Sequence, residues 1–228
     1  MIKKRRRLNW VINILIFIML ILGLVLIFNE QLKVYSIEQM TNNTMKKINR
    51  EQIQKAKNAK ATYDFKQVKA LSASTVTMTM IKGQEAPTIG KMSIPSVGLK
   101  LPVLKGLDNY NLSLGAGTMK ADQEMGKGNY ALAGHYMTNQ GVLFSPLKNV
   151  SNGDYIYLTN MKRVYKYKVY YKKIINKTDV NWIYDSKGEV TLTLITCASP
   201  TEGEVDRIMV RATFQGDGPY DEQSAKLF

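Results

Sequence analysis

The stretch Thr191-Leu192-Thr193-Leu194-Ile195-Thr196-Cys197 decides the fold, because it alternates like a β-strand and ends on the only cysteine in the chain. Successive strand side chains point to opposite faces, so Val190, Leu192, Leu194 and Thr196 share one face and Thr191, Thr193, Ile195 and Cys197 the other. The second set is the more polar, which puts the sulfur on the expected wetter face. Working outward, further β-prone runs are Gly90 to Ile94, Leu99 to Leu104, Asn129 to Ala133, Asp154 to Thr159, Arg163 to Ile174, Glu189 to Thr196 and Arg207 to Phe214. Gly, Pro and Asn punctuate them, the pattern of an all-β barrel or sandwich. Short helical turns fit Asn111 to Leu114 and Phe144 to Val150. In the longest run Tyr165, Tyr167, Val169 and Tyr171 oppose Lys166, Lys168 and Lys172, which marks the aromatics as core and not as a base-stacking platform.

Upstream the texture is different. Lys3, Lys4, Arg5, Arg6 and Arg7 precede an almost wholly apolar run from Trp10 to Phe28. That length matches the roughly 20 residues a helix needs to cross a bilayer. The exit Phe28-Asn29-Glu30-Gln31 lacks the small residues of a cleavage site, so the run reads as an uncleaved anchor. Basic flanks stay in the cytoplasm, which places residues 1–9 inside as a basic head, 10–28 in the membrane and the rest outside. Residues 29–81, rich in Lys, Gln, Asn and Thr with a thin apolar stripe, read as a partly helical extracytoplasmic stalk. The texture turns to β after Gly83, giving a globular domain over 82–216, and the polar residues 217–228 read as a loose tail.

Lys and Arg exceed Asp and Glu by 32 to 18, a formal charge of +14. That balance suits anionic lipid, wall polymer or nucleic acid. The charge forms no compact stripe and the domain is read as extracytoplasmic, so nucleic acid is not expected as a partner. One Cys forms no internal disulfide, and one Cys with one His falls short of a zinc site. The same pair, His135 after Ala133-Gly134 and Cys197 at its strand end, suits nucleophilic chemistry instead. A thiol reacts as thiolate, with a free pKa of about 8.5, so it needs a base or cation nearby. His135 and Arg207 are the candidates, with Arg211 on the same strand face as Arg207. Singly, a strand Cys is most often a small buried hydrophobe and a lone His most often structural.

Leu132-Ala133-Gly134-His135, Gly141-Val142-Leu143-Phe144-Ser145-Pro146-Leu147, Gly153-Asp154, Thr191 to Cys197 and Arg207-Ile208-Met209-Val210 together resemble the successive signatures of a sortase, over roughly Thr88 to Gln215. The single amino-terminal anchor, with neither a second apolar span nor an upstream lid, is similar to class A, the housekeeping type. The resemblance implies an eight-stranded β-barrel and a cysteine transpeptidase. Cys197 would attack the Thr-Gly carbonyl of a Leu-Pro-x-Thr-Gly sorting signal on a secreted protein and form a thioester. His135 would act as general acid and then general base toward a peptidoglycan precursor amine, and Arg207 would hold the oxyanion. The motif places its Arg at the strand start, which selects Arg207 over Arg211. Such an Arg is expected to depress the thiol pKa and to disfavour the imidazolium.

The resemblance also places Ala133, Thr193, Ile195 and Thr196 along the substrate groove. Some class A sortases bind calcium through acidic residues in the loop before the histidine strand. Here the corresponding positions are Lys120, Gln123 and Lys127, with Asp122 and Glu124 nearby, so no cofactor is expected and calcium is not expected to be required. A cysteine hydrolase that resolves the thioester with water uses the same residues, and a non-catalytic wall-binding module is the reading that dispenses with Cys197. The sequence leaves the oligomeric state open, a homodimer through the stalk included.

Overall fold

The computed structural model describes residues 2–68, 71–82, 85–139 and 141–228; Gly83, where the texture changes, lies outside the described residues. Its centre is a closed barrel built from β1 (Thr88–Ile94), β2 (Leu99–Leu104), β3 (Ala116–Thr118), β4 (Asn129–Ala133), β5 (Tyr155–Thr159), β6 (Arg163–Asn176), β7 (Thr191–Cys197) and β8 (Asp206–Pro219). The order around the barrel is β1-β2-β3-β4-β7-β8-β6-β5. β2 pairs parallel with β3 and β4 pairs parallel with β7, while the other neighbours are antiparallel. The interior holds Leu192 and Leu194 of β7 with Tyr130, Leu132, Ile156, Leu158, Tyr167, Val169, Val210 and Ala212. Alternation thus selects the core face, as the period-two reading expects.

β2 and β4 have the expected bounds, and the helical turns appear as α5 (Asn109–Leu114) and a 3-10 turn over Ser145–Asn149. β3 was not expected. Its three residues carry no readable alternation, yet it joins β2 to β4 through Val103↔Ala116 and Gly117↔Ala133. In β6 the alternation holds through Tyr165, Tyr167 and Val169, but a register shift between Val169 and Tyr171 breaks it. A bulge transfers later side chains to the opposite face. Tyr171 accordingly lies by Trp182, ring centres 6.0 Å apart, outside the barrel core.

The upstream segment is helical: α1 (Ile2–Ile27), α2 (Asn29–Lys47), α3 (Arg50–Lys57) and α4 (Ala73–Lys82). Asn9–Ile27 is long and apolar enough to cross a membrane, with mean hydropathy 3.0 and none of it buried against the protein. Backbone bonds from Phe28 N to Leu24 O and from Leu32 N to Phe28 O, each 2.9 Å, flank the junction, where Phe28 alone leaves helical geometry at φ −95° and ψ 11°. The expected stalk does not stand free. α2 lays Val34, Ile37, Thr41 and Met45 against the domain, and Ile37 is 0% exposed within the barrel's own core cluster. A stripe interrupted by Thr41 looks thin in sequence, but the Thr41 hydroxyl donates to the Leu114 carbonyl at 2.8 Å and so can be buried.

The tail is likewise not loose. β8 runs to Pro219, and α6 (Glu222–Ala225) follows with a reciprocal Asp221–Ser224 capping box. Tyr220 N donates to Lys162 O, Lys100 Nζ reaches Lys226 O, and the Tyr220 and Phe228 rings lie 6.3 Å apart. Its polar composition hid caps and backbone bonds, which hydropathy does not register.

Candidate active site

Cys197 closes β7 and stands directly across from Arg207, the second residue of β8. On the other side of β7, parallel β4 pairs Ala133 with Ile195, and Gly134 N donates to Ile195 O at 3.2 Å. Continuing that register two residues brings His135 level with Cys197. Cys197 and Arg207 thus pair across β7 and β8, and His135 follows two residues after β4 on the other side of β7, so the three lie at the same end of the barrel, hereafter the mouth. Arg211 pairs with Thr193, a full step down the strand, where it faces Glu189 at 3.8 Å and the Tyr170 and Trp182 rings. The strand geometry thus separates the two arginines that alternation left equal.

Each group is held by its neighbours. Gly134 is obligatory for space, because a Cβ there would sit 2.6 Å from the Phe144 ring. Phe144 N in turn donates to the His135 carbonyl at 3.0 Å. The Gly-His and Leu-Phe-Ser-Pro motifs are thus two halves of one steric unit. Arg207 Nη1 donates to the Glu204 carbonyl at 2.7 Å and to the Asp206 carbonyl at 3.0 Å. The Glu204 carboxylate accepts from the Asp206 amide at 2.9 Å and from the Ser199 hydroxyl, closing the β7–β8 loop beneath the guanidinium.

Burial controls the protonation of His135 and Cys197. It pushes the half-buried Cys197 thiol up, with Arg207 opposing and Glu204 reinforcing. The expected Arg-driven depression of the thiol is therefore present but outweighed. Burial alone pushes the His135 imidazole down to about 4. Its Nε2 is buried with no hydrogen-bond partner among the described residues. The resting pair is neutral thiol and neutral imidazole, because a poorly solvated site disfavours both charged forms.

The groove residues divide. Ala133 and Ile195 adjoin across β4 and β7 and pack on an outer cluster of Leu107, Leu112, Met119, Ala131 and Ile183. Thr193 is fully buried, its hydroxyl donating to Asn129 Oδ1 at 2.8 Å. Asn129 Nδ2 donates to the carbonyls of Trp182 and Tyr184, so Thr193 serves to hold the β6–β7 connection. Thr196 is buried on the other face of β7, with Leu192 and Leu194. The wetter face expected for Cys197 is covered by that connection, whose 3-10 turn Val180–Ile183 contributes Ile183 to the outer cluster.

Sequence reasoning missed how the same connection is tied to the loop before β4. Lys120 Nζ lies 2.5 Å from Asp185 Oδ1, which also accepts the Asn129 amide at 2.9 Å. The Lys120 ammonium, first, and that amide hold the Asp185 carboxyl below the usual carboxylate range. Gln123 bonds the Ala131 backbone through both ends of its amide, and Lys127 pairs with Glu124 at 2.6 Å. The signal was the lysine at position 120; its partner lies 65 residues away, beyond the reach of local spacing. Among the described residues, no three His, Cys, Asp or Glu side chains gather as a metal site requires.

Known proteins are similar to this chain over the barrel and beyond it. A family model described as a sortase domain matches residues 92–215. Sortase A of Streptococcus agalactiae serotype III (strain NEM316) is 36% identical over 229 residues, covering 96% of this chain and 92% of that protein. Sortase A of Listeria monocytogenes serovar 1/2a (strain ATCC BAA-679 / EGD-e) is 39% identical over 186 residues, covering 81% of this chain and 83% of that one. The crystal structure of Listeria monocytogenes sortase A superposes with a TM-score of 0.60 at 40% identity, over 62% of this chain and 97% of that one. Rim geometry, barrel order and these matches agree: the chain belongs to the sortase family, as a transpeptidase of class A.

Proposed function

We propose that this protein is a membrane-anchored transpeptidase that cleaves a Leu-Pro-x-Thr-Gly signal between Thr and Gly and joins the new carboxyl end to a peptidoglycan amine. The observation that supports the reading is that Cys197 pairs with Arg207 across β7 and β8 while His135 follows the end of β4, the strand on the other side of β7. The Cys197 thiol gives its proton to the neutral His135 imidazole as the sulfur attacks the Thr carbonyl, and the oxyanion that forms faces the Arg207 guanidinium. The C–N bond to Gly then breaks, the departing amine takes a proton from His135, and a thioester remains on Cys197. An incoming amine attacks that thioester and gives its proton to His135, and the thiolate leaves as the amide forms. The basic run Lys3 to Arg7 supports a cytoplasmic amino terminus with α1 across the membrane and the barrel outside.

The reaction runs without calcium. Of the loop residues, Glu124 pairs with Lys127 and Gln123 bonds the Ala131 backbone, while Lys120 places a cation of its own beside Asp185. Incubating the full chain in detergent with a Leu-Pro-x-Thr-Gly peptide should give a thioester on Cys197, read by intact-protein mass, and an amide product when a glycine peptide is added. Cys197→Ala should abolish both, and cleavage retained by that variant would overturn the assignment. Activity in a chelator-washed sample should not rise with millimolar calcium.

A further inference from the structure

α2 has a direction relative to the barrel, and that direction fixes which end of the enzyme meets the membrane. Its first turn touches the mouth: the Thr138 hydroxyl donates to Glu30 Oε1 at 3.3 Å, and Thr138 lies on the loop that follows His135. Glu30, Gln31, Val34, Tyr35 and Glu38 line one cleft with Thr138 and Asn139. Its last turn reaches the opposite end. Met45, Ile48 and Ile53 pack with Met161 at the tip of the β5–β6 hairpin, and Arg50 Nε donates to the Met161 carbonyl at 2.8 Å. That hairpin is remote from the chemistry, because β6 runs from Arg163 to Ile175 before it pairs with Arg207. The path is roughly 40 Å of strand.

α1 leads into α2 through the single residue Phe28, so the mouth lies on the side from which the membrane segment emerges. Glu30 is about 4.5 Å along the axis from Ile27, the last residue of the apolar span, given a rise of 1.5 Å per residue. The headgroup layer of one leaflet is roughly 5–7 Å deep. We infer that the barrel rests mouth-down, with the loop after His135 and the rim beside Arg207 in contact with the headgroup surface of the bilayer that holds α1. The inference rests on the reading above that α1 spans that bilayer. Exposed apolar side chains stand where contact would occur: Leu32 and Tyr35 on α2, and Ile174 and Val205, 51% and 44% exposed, on the rim. Val205 adjoins β8 and its carbonyl accepts the Lys177 amide, which keeps it at the lip. Apolar and aromatic side chains at this depth are suited to the membrane–water boundary.

The test uses the full chain with Cys197→Ala, reconstituted in vesicles of phosphatidylcholine and phosphatidylglycerol that include a headgroup-nitroxide lipid. Single cysteines placed by Asn139→Cys or Val205→Cys report the mouth, and Lys162→Cys reports the hairpin end; each carries a small fluorophore. The two mouth reporters should be quenched several-fold more than the one at position 162. Equal quenching at the three positions, or stronger quenching at 162, would overturn the orientation. The mouth reporters sit on separate loops, so loss of folding in one leaves the other to decide. Quenching needs no catalysis, whereas an impermeant thiol reagent reports on which side of the membrane the domain lies, so failure of the functional reading is distinguishable from failure of this one.

Discussion

His135 and Cys197 titrate in opposite directions from their ordinary values, and the cause is chiefly water exclusion. His135, held near 4, stays neutral in the folded protein while an unfolded chain takes up a proton below about 6.5. Its contribution to stability is therefore fully present above 6.5 and lost as pH falls toward 4, worth about 3 kcal/mol in all. Replacing it by Gln should flatten the acid limb of a stability–pH curve over that window. Alkylation of Cys197 by iodoacetamide should rise with pH to a midpoint above that of an ordinary thiol; Arg207→Ala should raise it further and Glu204→Gln should lower it. A wild-type midpoint below that of free cysteine would refute the dominance of burial. Gly134→Ala drives a methyl into the Phe144 ring and should cost about 1–3 kcal/mol in thermal unfolding, with lost activity because His135 shifts. At this scale the sequence was most informative about identity and least about exposure. Cys197, His135 and Arg207 were legible because a motif preserves order along the chain. The burial of Thr193 was not, because its cover comes from Trp182 and Asn129, which belong to other segments.

Among the elements, the strands with strong alternation, β2 and β4, could be bounded from sequence, while β3 is too short to alternate. The register shift in β6 is invisible to a period-two reading because one extra residue changes no local composition. The β6–β7 connection is where loop chemistry matters most. The Lys120–Asp185 pair is only partly shielded, so its coupling in a double-mutant cycle should be modest, about 0.5–1 kcal/mol. The larger effect should be on substrate binding, since the pair pins the loop over Ala133 and Ile195. Lys120→Met should raise KM more than it lowers kcat. A kcat loss with unchanged KM would show that the pair acts on the rim instead.

For the whole molecule, the upstream helices and the carboxyl-terminal segment pack on the barrel and so share in its stability. Ile37→Ala removes a side chain from the shared core and should cost about 2–5 kcal/mol, although it lies 160 residues before Cys197. A free stalk would tolerate it, so an unchanged melting temperature would argue for detachment of α2. The one-residue junction at Phe28 has a further meaning for turnover. A long tether lets an enzyme sweep a hemisphere of wall; a one-residue junction reduces the search to two dimensions, in which substrates are sampled as they drift past within the leaflet. Reaction rate would then follow the areal density of its substrates and the fluidity of the lipid rather than their concentration in the surrounding wall space.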